Sequence, residues 1–91
     1  MKFIHKDQKI FYQNNEGNEL AYLQYSISDD GKVLNADATF VDPSLRGQGV
    51  ARQLVDALAT YAREHSLKIK PICSYVVHLF DTVDDYQDIA L

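Results

Sequence analysis

The chain has no tryptophan, one cysteine, two prolines and four glycines in 91 residues. A single cysteine closes no internal disulfide, so the chain reads as a resident of a reducing compartment, the cytoplasm. No apolar run approaches the roughly 20 residues that span a bilayer, and Met1–His5 runs at once into charge, unlike a secretion signal. Positive charge is also scarce. Nine lysines and arginines against thirteen acids leave a net charge of −4, and the basic residues are scattered, densest at Lys68 and Lys70. That excludes the basic surface non-specific nucleic-acid binding needs, and nothing points to a membrane partner. There is no internal repeat or low-complexity tail. With 46% apolar residues, the length fits one domain, residues 1–91, with a small core.

Period-2 patterning predicts strands over residues 9–12, 20–27 and 33–41. Asn14-Asn15-Glu16-Gly17-Asn18 and Asp29-Asp30-Gly31-Lys32 supply the reversals between them, so the three should form an antiparallel meander. In the second, Ala21, Leu23, Tyr25 and Ile27 share a face. In the third, Leu34, Ala36, Ala38 and Phe40 share one face, and Asn35, Asp37 and Thr39 the other. The period then becomes helical. Ala51, Leu54, Val55, Leu58, Ala62 and His65 form a stripe that predicts a helix from about residue 49 to 66. Residues 68–74 read as a further strand, with Pro71 removing one ladder bond. Strand, helix, strand implies a right-handed crossover and a parallel pair. A short helix over 76–80 and a final turn or helix over 84–89 complete an α/β fold with a mixed sheet.

Between the third strand and the long helix lies Val41-Asp42-Pro43-Ser44-Leu45-Arg46-Gly47-Gln48-Gly49-Val50-Ala51. Pro43 helps end the strand, and the glycines permit a turn that leaves amides bare at a helix N-terminus. Such amides, with the helix dipole and Arg46 and Arg52 as charge partners, suit a phosphate or pyrophosphate. The pattern alone equally suits a helix start whose glycines serve only the turn.

The segment Arg46-Gly47-Gln48-Gly49-Val50-Ala51 resembles the acyl-CoA motif of the GNAT acyltransferase superfamily, and its glycine spacing differs from the dinucleotide fingerprint. Thr39-Phe40-Val41, Pro43, Leu54, Ala62-Arg63-Glu64, Leu67-Lys68-Ile69, Pro71-Ile72-Cys73-Ser74-Tyr75-Val76 and Tyr86 extend the likeness, over nearly the whole chain, to the small single-domain GNAT-like N-acetyltransferases. The resemblance implies acetyl-CoA as cosubstrate and an unidentified amine, on a small molecule or a protein, as acceptor. It implies that amides of Gly47, Gln48, Gly49, Val50 and Ala51 hold the pyrophosphate with Arg46 and Arg52. It further implies that the pantetheine arm lies between splayed parallel strands against backbone of Phe40 and Val41, with the thioester near Cys73. The helices that shape the acceptor site in larger relatives have no counterpart.

Four residues are candidates for the chemistry. Cys73, the sole thiol, ends a central strand and is either a thiolate that accepts the acetyl group or a small packed residue. Asp37 is a candidate base or a solvated strand residue. Tyr75 either protonates the departing thiolate or packs. His78, three residues further on, is a base toward Cys73 if it folds over the cleft, or a surface residue. The glutamate base of larger relatives has no match, and Ala38 stands where many short relatives carry histidine. Hence a noncatalytic acyl-CoA-binding or protein-interaction module is the alternative to an acetyltransferase.

None of His5, His65 and His78 forms a recognised metal motif with Cys73. Asp81, Asp84, Asp85 and Asp88 miss the spacing of a calcium loop and read as solvated surface. Thr82 is expected to cap a final turn that Tyr86 pins to the body. No residue pattern requires an oligomer.

Overall fold

A computed structural model describes residues 1–91. The strands are β1 (Ile4–Lys6), β2 (Lys9–Gln13), β3 (Glu19–Ile27), β4 (Val33–Val41) and β5 (Lys68–Pro71), and they lie in sequence order in one sheet. All neighbours are antiparallel except β4 and β5. The helices are α1 (Val50–Glu64) and α2 (Ser74–Thr82), with single 3₁₀ turns at Pro43–Leu45 and Asp84–Tyr86. The α/β mixed sheet thus follows the expected order, with one strand added. β1 reaches β2 through Asp7 and Gln8, both at positive φ. No Gly or Asn marks that turn, so its sequence carries no hairpin signal.

Helix α1 covers one sheet face. Its Val50, Leu54, Val55, Leu58, Ala59 and Ala62 are buried against Ile10, Ala21, Leu23, Tyr25, Leu34, Ala36 and Ile69. Each fully buried Leu contributes about 1.5–3 kcal/mol, so this face supplies most of the core. His65, expected on the stripe, is exposed beyond the last helical residue and lies against Tyr61 with ring centroids 4.3 Å apart and planes tilted by 42°. Ile27 is also 43% exposed because it ends its strand beyond the reach of α1.

The expected alternation along β4 fails at one point. Tyr25 pairs with Ala36 and Gln24 with Ala38, so Asp37 is an extra, bulged residue. A bulge reverses which face the following residues occupy. Thr39 and Val41, opposite buried Leu23 and Ala21, therefore share the α1 face with Leu34 and Ala36. Ala38 and Phe40 lie on the opposite face, which corrects the expected grouping.

Strand β5 is shorter than expected. Its ladder with β4 ends at Ala36 and Pro71, where the amides of Ile72 and Cys73 both turn onto the Ala36 carbonyl. The chain then enters α2, which starts at Ser74 rather than at residue 76. The outer edge of β5 is closed by the C-terminus, through Ile69 N–H to Ile89 O and Leu91 N–H to Ile69 O. Tyr86 is 2% exposed, and its hydroxyl donates to Asp56 on α1, which pins the C-terminal segment. Thr82 caps no turn; its hydroxyl bonds back to the His78 carbonyl within α2. Asp85 and Asp88 are not merely solvated, since they pair with Arg52 and Arg63 of α1.

Candidate functional site

Beyond Ala36 the edge of β4 has no strand beside it, because β5 ends at Pro71 and the chain turns into α2, which leaves a gap there. The Asp42 amide donates to the Leu20 carbonyl at 2.7 Å, which makes Ala21–Val41 a non-hydrogen-bonded pair. By alternation Tyr22–Phe40 exchanges both backbone bonds, while Thr39 and Val41 direct theirs toward the gap. Phe40, expected beside Val41 as a backbone partner for a pantetheine arm, thus has its backbone committed to β3. Thr39, rather than Phe40, directs its backbone groups toward the gap, and the Val41 carbonyl accepts a bond from Arg46 Nε at 3.3 Å.

The glycine turn lies at one end of this edge. Gly47 and Gly49 have φ of +81° and +73°, which L side chains rarely adopt. Gly49 is the N-cap of α1 and supplies no side-chain cap. Its carbonyl accepts the first helical bond, from Gln53. The amides of Val50, Ala51 and Arg52 are therefore left without helical partners, at the positive end of the dipole. They border an open cavity of about 150 Å³ lined by Val41, Arg46, Gly49, Val50, Arg52 and Tyr75 among others. Gln48 is exposed and reaches the Ser44 carbonyl at 3.5 Å.

The two arginines differ. Arg46 is exposed and in no ion pair. Arg52 is held by Asp85 at 2.8 Å and Asp56 at 3.4 Å, with its guanidinium 5.3 Å from the centre of the Tyr86 ring. The C-terminal segment therefore already neutralises Arg52.

Cys73 lies at the other end of the gap as the N-cap of α2. Its Sγ is 3.3 Å from the Thr39 hydroxyl. Burial pushes the thiol pKa up, but the Thr39 hydroxyl and the amides of Tyr75, Val76 and Thr39 outweigh it and hold the pKa below the ordinary thiol value. This is the environment that favours a thiolate. The Tyr75 hydroxyl is pushed up, first by burial and then by Asp56 against the opposing Arg52, so it stays protonated near neutral pH.

His78 does not join this group. It is exposed on α2, and five residues on a helix place it about 140° around the axis from Cys73. Asp37 is exposed on the bulge and takes part in none of the ion pairs. Thr39, the side-chain partner of Cys73, was not singled out by the sequence because regular alternation places it on the wrong face. No group of three or more His, Cys, Asp or Glu residues is arranged to hold a metal ion, and no helix is long and apolar enough to cross a membrane.

The family model for GCN5-related N-acetyl-transferases matches residues 9–89. The chain belongs to the GCN5-related N-acetyltransferase family. Its reaction class is accordingly acetyl transfer dependent on an acyl-CoA. The chain is similar to a GCN5-like protein of Staphylococcus aureus in solution, with 36% identity and a TM-score of 0.83 over 99% of this chain and 87% of that one. It shares its fold with ribosomal-protein-alanine N-acetyltransferase of Brucella melitensis biovar Abortus 2308, at 20% identity and TM-score 0.62, covering 82% of this chain and 59% of that one. Nourseothricin acetyltransferase is a more distant fold relative, at 24% identity and TM-score 0.55, covering 67% and 36%.

Proposed function

We propose that this family member transfers an acetyl group from acetyl-CoA to a primary amine, with residues 1–91 acting as one acyl-CoA-binding domain. The observation that carries the reading is continuity. A helix N-terminus with bare amides leads along the free edge of β4 to a thiol held below its ordinary pKa. Acetyl-CoA supplies a phosphate-bearing handle and an acetyl thioester. The amides of Val50, Ala51 and Arg52, with Arg46, hold the anionic end. A Cβ at Gly47 or Gly49 would meet no protein atom within 4 Å, so the open side of the turn is available to a ligand. Backbone of Thr39 and Val41 orients the arm, as an added strand would be held.

At the other end of the gap the thiolate of Cys73 attacks the thioester carbonyl. A carbon–sulfur bond forms to Cys73, the bond to the leaving thiol breaks, and Tyr75 supplies that thiol's proton. A neutral amine then displaces Cys73, forming the amide and returning the thiolate, while its surplus proton passes through water or Asp37 back to the Tyr75 phenolate. Thr39 positions Cys73 in this scheme. A single free thiol suits the reducing cytoplasm.

Rapid-quench intact-mass analysis with acetyl-CoA tests the covalent route. The expected result is one added acetyl group, absent in Cys73→Ala. Full turnover without any adduct would leave Asp37-assisted direct attack instead. A second reading has its own support. Ala38 and the distant His78 leave Cys73 with no histidine beside it, which suits a module that binds acyl-CoA without turnover. Binding without acetylation of any amine would favour it.

A further inference from the structure

Arg52 stands on the first turn of α1 and lines the open cavity together with Val50 and Ala51. Its charge is felt across that cavity. Tyr75, another lining residue, has its pKa pushed up by burial, and Arg52 pulls against the rise. Yet the guanidinium is turned to the C-terminal segment. Nη2 donates to Asp85 Oδ2 at 2.8 Å and Nε to Asp56 Oδ1 at 3.4 Å, over the Tyr86 ring. Arg46 lines the same cavity and is in no ion pair.

The two carboxylates on Arg52 are fastened differently. Asp56 belongs to α1 and also accepts the Tyr86 hydroxyl, so it is fixed. Asp85 lies on the single 3₁₀ turn Asp84–Tyr86, its side chain is 68% exposed, and Arg52 is the donor its carboxylate meets. The backbone of this segment is held by other bonds. The Asp85 carbonyl accepts from Arg63 Nη2 at 2.8 Å. Asp88 accepts from Arg63 Nε at 2.8 Å and, through its carbonyl, from Lys68 Nζ at 2.6 Å. The Asp85 carboxylate can therefore leave Arg52 by side-chain rotation, with the segment still closing the β5 edge.

We infer that the Asp85 carboxylate is an internal anion that occupies Arg52 in the free protein and is displaced by a phosphate of acyl-CoA, so that the C-terminal segment holds cofactor affinity down. The inference rests on the acetyl-transfer reading above, which puts the anionic end of the cofactor at this turn. Carboxylate and phosphate oxygens compete for the same guanidinium N–H groups, and held together on one arginine they repel each other. An exposed ion pair shifts an equilibrium by up to about fivefold, so Asp85 tunes binding without abolishing it. Linkage makes the effect mutual: bound acyl-CoA loosens one contact between α1 and the C-terminal segment. When coenzyme A departs, Asp85 retakes Arg52, which favours release of the product.

The test is calorimetric titration of the full chain with acetyl-CoA at low ionic strength, where exposed charges act most strongly. It compares the wild type, Asp85→Asn and Asp88→Asn, and repeats Asp85→Asn in an Arg52→Gln background. Asp85→Asn should bind acetyl-CoA about threefold to fivefold more tightly than the wild type. Asp88→Asn removes the same charge from the same segment but partners Arg63, and its Kd should stay within about twofold of wild type. With Arg52→Gln in place, Asp85→Asn should shift Kd by less than about twofold, because the pair no longer exists. Should Asp85→Asn fail to fold, Asp85→Ser removes the same carboxylate. Unchanged or weaker binding in Asp85→Asn, an equal gain in Asp88→Asn, or a gain that survives Arg52→Gln would overturn the inference, while binding of acetyl-CoA by the wild type kept the underlying reading. Wild-type protein that does not bind acetyl-CoA would overturn both.

Discussion

Gly49 and Gly31 allow a matched test of whether the turn before α1 exists for a ligand. Both have φ of +73°, and a Cβ at either would meet nothing within 4 Å. Alanine therefore brings backbone strain but no clash at both sites. A left-handed L residue costs about 1–2 kcal/mol, offset by roughly 0.4–1 kcal/mol from a stiffer unfolded chain. The net loss is about 1 kcal/mol for each variant, which lowers Tm by about 4–8 °C in a domain of this size. Stability should thus fall equally in Gly31→Ala and Gly49→Ala. Ligand binding should not. The Gly49 methyl would stand beside the bare amides of Val50, Ala51 and Arg52, while Gly31 lies in the β3–β4 turn, apart from the cavity lining. Losing one hydrogen bond to a charged group costs about 1.5–3 kcal/mol, so acetyl-CoA should bind Gly49→Ala about tenfold to a hundredfold more weakly. Calorimetric titration and thermal melts of the three proteins measure both quantities. Equal acetyl-CoA affinity in the two variants would refute the assignment of this turn to the anionic end of the cofactor.

Three further outcomes follow from the structure. Alkylation of Cys73 should inflect below that of an ordinary thiol and move upward in Thr39→Val, which removes the hydroxyl at 3.3 Å; an inflection that Thr39→Val leaves in place would remove Thr39 from its positioning role. Tyr86→Phe keeps the stack on Phe80 at 4.9 Å but loses the bond to the half-exposed Asp56, so urea unfolding should show a loss of about 1–2 kcal/mol. His5, within 2.6 Å of the Tyr25 hydroxyl, has its pKa lowered, first by burial and then by His65. The unfolded chain binds that proton more readily, so this stabilising term is present above the unfolded value of about 6.5 and is lost as pH falls through the lower folded pKa. His5→Gln should therefore flatten the fall in Tm below pH 6.5, and an unchanged slope would assign it to other groups.

Where side-chain period and turn chemistry agree, the sequence was enough. The 3.6-residue stripe of Leu54, Val55, Leu58 and Ala62 located α1, and the glycines around Gln48 located its bare N-terminus. The bulge at Asp37 was hidden, because Ala36-Asp37-Ala38 contains no glycine to mark it and alternation reads straight through. That single extra residue moved Thr39 onto the α1 face and Phe40 onto the open face, which changed both the partner of Cys73 and the backbone that lines the gap. Strand β1 was missed for a similar reason, since Asp7 and Gln8 take left-handed conformations without the usual turn residues. The pairing of Arg52 with Asp85 joins residues 33 positions apart, a separation local patterning does not see.

The measurement closest to the central claim is a residue-resolved NMR titration of the 10.4 kDa chain with acetyl-CoA. The account predicts saturable shifts at the amides of residues 46–52, at Thr39 and Val41, and at Cys73 and Tyr75, along one path from the α1 turn to the thiol. Saturation with shifts confined elsewhere, or no saturation at all, would contradict it.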